Sequence, residues 1–272
     1  MLANTPSSIK PVVAKQVITS GQLDRTSSMQ GLLKELKFLK ELNKGVQSMK
    51  TYVYPSVLQM QALAPLKKAG GVKNVIIKYR EMNGVKLTVM LPLLHNMIKF
   101  SIMEQAASKA INDEDDAEEK TSSDAPLVGS VILCHSQLRA AEMTDFTTEL
   151  TQFCDEIVEV VNFDESIDDA LAKLRIISAK TTSAEGTLAF RKSVALIGTP
   201  GNFVKLLDSA KLKMKFHSIV LDKVDLLTAM DFKEEIIDIG SQLVSTDENK
   251  EIHGKVIFTT NVREEKDMSV DE

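Results

Sequence analysis

Six short apolar runs rich in β-branched residues recur along the chain: Asn74–Lys78, Ser130–Cys134, Ile157–Asn162, Ser193–Ile197, Ser218–Asp222 and Lys255–Thr259. A strand with water on one face alternates apolar and polar residues, whereas a continuous apolar run suits a strand covered on both faces of a parallel sheet. Helical patterns separate the runs. Gln30–Met49 brings Leu33, Leu36, Leu39 and Leu42 toward one side, and Ser56–Lys68, Lys86–Ala110, Gln137–Cys154, Ser166–Leu174 and Asn202–Ser209 read similarly. Alternation of this kind predicts an α/β fold, a doubly wound parallel sheet flanked by helices. At 272 residues the chain has room for one large domain of this type.

Charge divides the chain unevenly. Residues 1–110 hold 16 Lys and Arg against 5 Asp and Glu, while the remainder holds 17 against 33. The basic portion suits phosphate backbones and the acidic remainder does not; lysine-rich solvated helix faces are the plainer account. The acidic stretch 112–124 reads as a solvated loop between the first crossover helix and the second strand. Cys134 and Cys154 have no second cysteine pair beside them, so each reads as a buried small hydrophobe and no metal site is expected. This cysteine usage fits a reducing compartment. The most apolar long segment, Val85–Met103, contains Lys86, His95, Asn96 and Lys99 and reads as a buried helix. Residues 1–28 read as a flexible polar extension, with a mitochondrial presequence as the alternative, and 266–272 as a tail.

In a parallel sheet, chemistry gathers where strands end and helices begin, and the junctions here carry a resemblance. Pro55-Ser-Val-Leu-Gln59, Leu91-Pro-Leu-Leu-His95, Gly198-Thr-Pro-Gly-Asn202, Val220-Leu-Asp222-Lys223-Val-Asp225 and Phe258-Thr259-Thr260-Asn261 resemble, in order, five motifs of the DEAD-box RNA helicases. The resemblance covers residues 29–265 and implies a single RecA-like lobe of the P-loop NTPase type. Thr151–Asn162 and Lys211–Lys215 look most like the branch that works in nucleolar ribosome assembly.

Intact members of that family bind ATP and Mg²⁺, and here the motifs that would do so are degraded. Tyr79-Arg-Glu81-Met82-Asn-Gly84-Val85-Lys86 stands where the family has its P-loop. Only Gly84 survives: aligned without gaps, Val85 falls at the phosphate-binding lysine and Lys86 at the Mg²⁺ ligand, whereas a one-residue slip returns Lys86 to the lysine position and puts Leu87 at the metal ligand. Glu81 adds negative charge where phosphates would lie. Gln59 stands at the position that reads the adenine edge. Asp222 and Asp225 are kept, but Lys223 replaces the water-orienting glutamate and is expected to pair with Asp222. The RNA-binding stretch becomes Cys134-His-Ser136-Gln-Leu138 and loses its arginine, and Asn202 replaces the arginine after Thr-Pro-Gly. Ser136, Thr199, Gly201 and Asn202 remain as candidate RNA contacts, the last three at a helix N-terminus. His135 has no discernible nucleophile partner and reads as a surface histidine; Tyr52 and Tyr54 read as packing, with base stacking as the alternative.

A Ser-His-Asp hydrolase is excluded by the lack of a Gly-x-Ser-x-Gly elbow, and a dinucleotide-binding fold by Gly70-Gly71 preceding rather than following the first strand. The leading expectation is a non-catalytic pseudo-helicase lobe: a scaffold or weak, sequence-independent RNA-binding subunit of a ribonucleoprotein complex, with no cofactor. Its protein partner is expected on the strand-end face, made apolar by Met82, Val85 and Leu87, with inward packing of these residues into the vacated pocket as the alternative. The enzyme reading is a DEAD-box ATPase whose second lobe lies in another chain or outside this sequence. A product with no retained role is the third reading. The nucleus, nucleolus and cytoplasm all fit, and no membrane association is expected.

Overall fold

The computed structural model describes residues 26–68, 74–79, 84–112, 127–179, 192–209, 214–244 and 256–261. Most of the N-terminal extension, residues 113–124 of the acidic loop, Gly70-Gly71, Glu81, Met82 and the tail lie outside them. Six strands form one parallel sheet: β1 (Asn74–Tyr79), β2 (Leu127–Leu133), β3 (Val158–Asn162), β4 (Ser193–Gly198), β5 (Met214–Leu221) and β6 (Val256–Asn261), in the order β1-β6-β5-β2-β4-β3. Each expected run is a strand, displaced at its ends by a few residues at most. β2 and β4 lie inside the sheet and are buried along their whole length. On β2, Val128 and Ile132 enter one apolar cluster while Leu127, Val131 and Leu133 enter the other, so the sheet is covered on both faces.

The first cluster is roofed by α1 (Met29–Glu35), α2 (Lys40–Ser48), α3 (Val57–Lys67), α4 (Val85–Asn112) and α5 (Gln137–Thr151). The second is roofed by α6 (Ile167–Ala179), α7 (Pro200–Ser209), α8 (Val224–Ala229) and α9 (Lys233–Val244). Residues Leu87 to Ile98 of α4 are buried without a break, so a helix long and apolar enough to cross a bilayer serves here as the core helix. Gly45 lets α2 approach α5: a Cβ there would lie 2.0 Å from the Leu150 carbonyl oxygen. Both cysteines are buried free thiols; burial pushes Cys154 up to about 11 and raises Cys134 well above its ordinary value.

The single helix expected over Gln30–Met49 is two helices. The chain breaks at Lys37, whose φ of 53° is left-handed, with no glycine or proline to announce it. Tertiary partners hold the break. The Leu39 N–H, left uncapped at the start of α2, donates to Nδ1 of His95 at 3.2 Å. Phe38 packs edge-on against the same imidazole, and Lys67 donates to the Leu36 and Lys37 carbonyls while lying over the Phe38 ring. Burial, then Lys67 and Lys99, depress the His95 pKa to about 4.

Because His95 must stay neutral to accept the Leu39 N–H, folding disfavours its protonation. The unfolded chain takes up the proton near the ordinary value of 6.5 and the folded chain only near 4. This contribution is therefore complete above pH 6.5 and is lost as pH falls toward 4, with roughly 2 kcal/mol gone by about pH 5. Urea denaturation across that window should show the decline. His95→Asn, which keeps an acceptor but cannot titrate, should flatten most of it.

Candidate functional site: the strand-end cleft

The C-terminal ends of β1, β2, β4, β5 and β6 converge on one side of the sheet, where doubly wound folds place their ligands. The motif remnants Gly84, Ser136, Thr199, Asp222 and Thr259 all follow or close these strands. What the cleft offers a ligand depends on which polar groups remain unspent.

On the nucleotide side, Gln59 is spent. Ser56 caps α3 by accepting from the Gln59 N–H, and Gln59 Oε1 accepts the Ser56 N–H at 2.8 Å, completing a capping box. Its Nε2 donates to the Gly84 carbonyl at 3.3 Å. With 2% exposure the amide has both ends committed inside the lobe, so the adenine-reading position serves as an internal clamp. The Ser-x-x-Gln spacing was a readable sign of this role. Gly84 has a φ of 68°, and a Cβ there would stand 2.5 Å from Gln59 Nε2. Val85 is half-buried against the core, and Leu87 is fully buried. Leu87 thus packs inward and cannot form the apolar docking face expected of it. Lys86 turns toward α5, 3.7 Å from Glu142 and over the Phe146 ring.

On the carboxylate side the expected Lys223–Asp222 ion pair does not form. Asp222 Oδ2 instead accepts from Nε of Arg139 at 2.7 Å, and Oδ1 accepts from Thr259 Oγ1 at 3.1 Å. Arg139 is one turn into α5, behind its N-cap Ser136, and its Nη1 donates to Glu142 at 2.9 Å. Arg139 was missed because the arginine was sought at Ser136, and because its partner lies 83 positions away. Lys223 is αL, with φ 55°, and its N–H donates to Thr259 Oγ1. Thr260 donates to Asp225, and Asn261 closes β6 opposite Tyr79. His135 is half-buried rather than a surface residue, its Nδ1 enclosed; burial lowers its pKa and Asp222 opposes the shift.

The RNA-side candidates are engaged as well. The Thr199 N–H, Thr199 Oγ1 and Asn202 Nδ2 all donate to Oδ1 of Asp164, at 3.0, 2.9 and 2.9 Å. Asp164 follows β3 and brings its own negative charge to the N-terminus of α7, where an RNA phosphate would otherwise sit. Ser136 is used as a cap, accepting from the Arg139 N–H. Gly201 alone faces open space. Tyr52 packs edge-on to Phe146, and Tyr54 is exposed.

A six-stranded parallel sheet covered by helices on both faces, with a glycine turn before its longest helix, is a doubly wound α/β fold. Comparisons narrow the class. No family model matches the chain. Two curated sequences do, both named ATP-dependent RNA helicase DBP9 and both from Cryptococcus neoformans var. neoformans serotype D. Each is 23% identical over 189 residues, covering 69% of this chain and 25% of its own length. Among solved structures, DEAD-box helicase Mss116 bound to ssRNA and UDP-BeF has a TM-score of 0.60 at 13% identity, over 86% of this chain and 40% of its own. A DEAD box protein from the hyperthermophile Methanococcus jannaschii gives 0.55 at 13%, over 85% and 50%. The chain shares the fold of these DEAD-box proteins and is similar in sequence to the two curated helicases. It spans a quarter of the length of the curated relatives it matches.

The residues present do not fit the Mg²⁺ that the resemblance implies. Both Asp222 oxygens are engaged, one by a buried guanidinium, and Lys86 adds a second positive charge to the cluster through Glu142. At an effective dielectric of 20, a divalent cation about 4 Å from a unit positive charge is repelled by on the order of 8 kcal/mol. No cluster of three His, Cys, Asp or Glu side chains suits a metal among the described residues.

Two glycines test the packing of this cleft. Gly84→Ala forces a Cβ into the Gln59 amide at a left-handed backbone position and should cost roughly 1–3 kcal/mol. Gly201→Ala meets nothing within 4 Å inside a helix and should be neutral or stabilise by up to about 1 kcal/mol. Paired thermal melts of the two variants measure both.

Proposed function

We propose that this lobe is non-catalytic and acts as a scaffold or weak RNA-binding subunit of a ribonucleoprotein complex. One observation carries the reading: around the Gly84 turn, the side chains that would meet a nucleotide are already committed within the lobe. Gln59 clamps Gly84 and Ser56, Val85 replaces the phosphate lysine, and Lys86 is drawn to Glu142 and Phe146. Lys223 stands where a water-orienting carboxylate belongs, and an ammonium cannot accept the proton. The nucleolar setting is proposed from the resemblance of Thr151–Asn162 and Lys211–Lys215 to the ribosome-assembly branch.

RNA affinity, on this reading, comes from charge rather than motif contacts. Lys34, Lys37, Lys40 and Lys44 lie on or beside α1 and α2, and Lys67 is close enough to Lys37 and Lys99 for their like charge to add to burial in lowering its pKa. Binding driven by counterion release weakens steeply with salt. A protein partner on the strand-end face is also proposed. Leu138, 75% exposed at the start of α5, supports an apolar contact there even though Leu87 is buried.

The deciding measurement is isothermal titration of the full chain with Mg-ATP, which should give no heat of binding at millimolar nucleotide. A micromolar dissociation constant lost on Gln59→Ala would establish the enzyme reading instead. Lys223→Glu should restore no RNA-stimulated phosphate release, since the phosphates still lack a cradle.

For RNA, fluorescence anisotropy with a single-stranded oligonucleotide should show affinity falling at least tenfold between about 50 and 200 mM salt. Thr199→Ala should change it by less than about twofold, because Thr199 is bonded to Asp164. Tight, salt-insensitive binding would reveal base readout and end the charge-driven account.

A further inference from the structure

Asp222 is 4% exposed at the end of a central strand, and a carboxylate so placed needs a positive partner. In a nucleotide-binding lobe that partner arrives from outside, as a metal ion carried with the nucleotide. Here it is built in. Arg139 is 9% exposed, its Nε lies 2.7 Å from Asp222 Oδ2, and its Nη1 is fixed by Glu142, which also holds Lys86 at 3.7 Å. The four side chains sum to zero formal charge and join α4, α5 and the end of β5.

We infer that Arg139 is an internal substitute for the divalent cation, fixing the cleft in one ligand-independent arrangement. Three features separate it from an ordinary surface pair. Both partners are buried. The guanidinium reaches Asp222, the carboxylate that by resemblance to the family stands on the Mg²⁺ side of the motif. Its Nη1 is bonded to Glu142, so Arg139 is anchored at two points. The charge raises the Arg139 pKa further above its ordinary value, against the burial that lowers it, through the bond and field of Asp222. The guanidinium therefore stays charged at any pH at which the protein is folded. The substitution also extends beyond Asp222. Thr259 donates to the free oxygen of Asp222 and accepts the Lys223 N–H, so fixing the carboxylate fixes the turn before α8 and the end of β6.

This inference rests on the non-catalytic reading, but its test does not pass through nucleotide. Thermal melts are run on the full chain as wild type, Arg139→Ala, Asp222→Asn and the double variant, each with EDTA or with millimolar Mn²⁺. Wild type should melt within about 1 °C in the two conditions, its carboxylate being already neutralised. Arg139→Ala should melt roughly 10 °C lower in EDTA, the cost of a buried unpaired carboxylate, and regain about 3 °C in Mn²⁺. Adding Asp222→Asn to Arg139→Ala should recover at least half of the loss and abolish the Mn²⁺ response. If Arg139→Ala does not fold, a folded double variant supports the inference equally. If neither folds, Arg139 serves packing and the inference is overturned. An Arg139→Ala melt within about 2 °C of wild type overturns it, as does an unresponsive Mn²⁺ arm or an Asp222-dependent Mn²⁺ shift in wild type. ATP binding by wild type would end the non-catalytic reading while leaving this cycle to be scored separately.

Discussion

A carboxylate buried at the end of a central strand organises this lobe. Moving Asp222 from water to its 4% exposed position is unfavourable unless both oxygens are satisfied, and each partner comes from a different element. Arg139 reaches it from α5, and Thr259 from β6. The Asp222 N–H in turn donates to the Leu133 carbonyl at the end of β2. Three strands and a helix are thereby registered at the one edge of the sheet where side-chain geometry matters most. The left-handed Lys223 follows from the same constraint. A non-glycine αL residue costs about 1 kcal/mol, yet this turn aims its N–H at Thr259 Oγ1 and starts α8.

The same physics recurs at the other two corners of the cleft. At α7 the partial positive charge of the helix start meets the Asp164 carboxylate, which takes three hydrogen bonds on one oxygen. At the Gly84 turn the Gln59 amide is shared between a helix cap and the glycine carbonyl. A ligand-binding cleft usually keeps such groups poised and solvated, to be exchanged for ligand contacts. Here an incoming phosphate would have to displace bonds already made, and gains little by doing so.

How much of this was legible follows from the range of each interaction. The six strands were readable because burial on both faces writes itself into consecutive residues, as in Ser193–Gly198. The Gly-Thr-Pro-Gly and Asp-Lys-Val-Asp stretches were found at their strand ends because topology fixes the order of junctions, whereas Pro55–Gln59 starts α3 ahead of the first strand. The break at Lys37 was not readable, since the forces that hold it come from His95 and Lys67, far along the chain. α8 and α9 were missed: α8 is six residues long and begins at a motif, which masks its period. The Arg139–Asp222 pair carried no local sign, so the acidic site was assigned to its neighbour Lys223. Asp164 was overlooked although an acid just after a strand is a natural cap for the next crossover helix.

Which motif residues persist and which are gone now has a physical order. Gln59, Gly84, Thr199, Asp222, Asp225 and Thr259 are present, and each has an internal partner or a backbone geometry that no other residue type meets as well. By the resemblance, Val85, Lys223, Ser136 and Asn202 stand where the family carries a phosphate lysine, a water-orienting glutamate and two RNA-contacting arginines, all directed at a ligand. Residues that face inward answer to folding, and those that face a ligand answer to the ligand. Asp222 and Asp225 are therefore no argument for turnover. A buried carboxylate bonded to Thr259 and Arg139 would destabilise the lobe if its partners were removed, whether or not nucleotide ever reaches the cleft. The same reasoning limits what restoring single residues can do. Returning a glutamate at position 223 leaves Asp222 bonded to Arg139 and Gln59 bonded to Gly84, so neither group is released for a ligand.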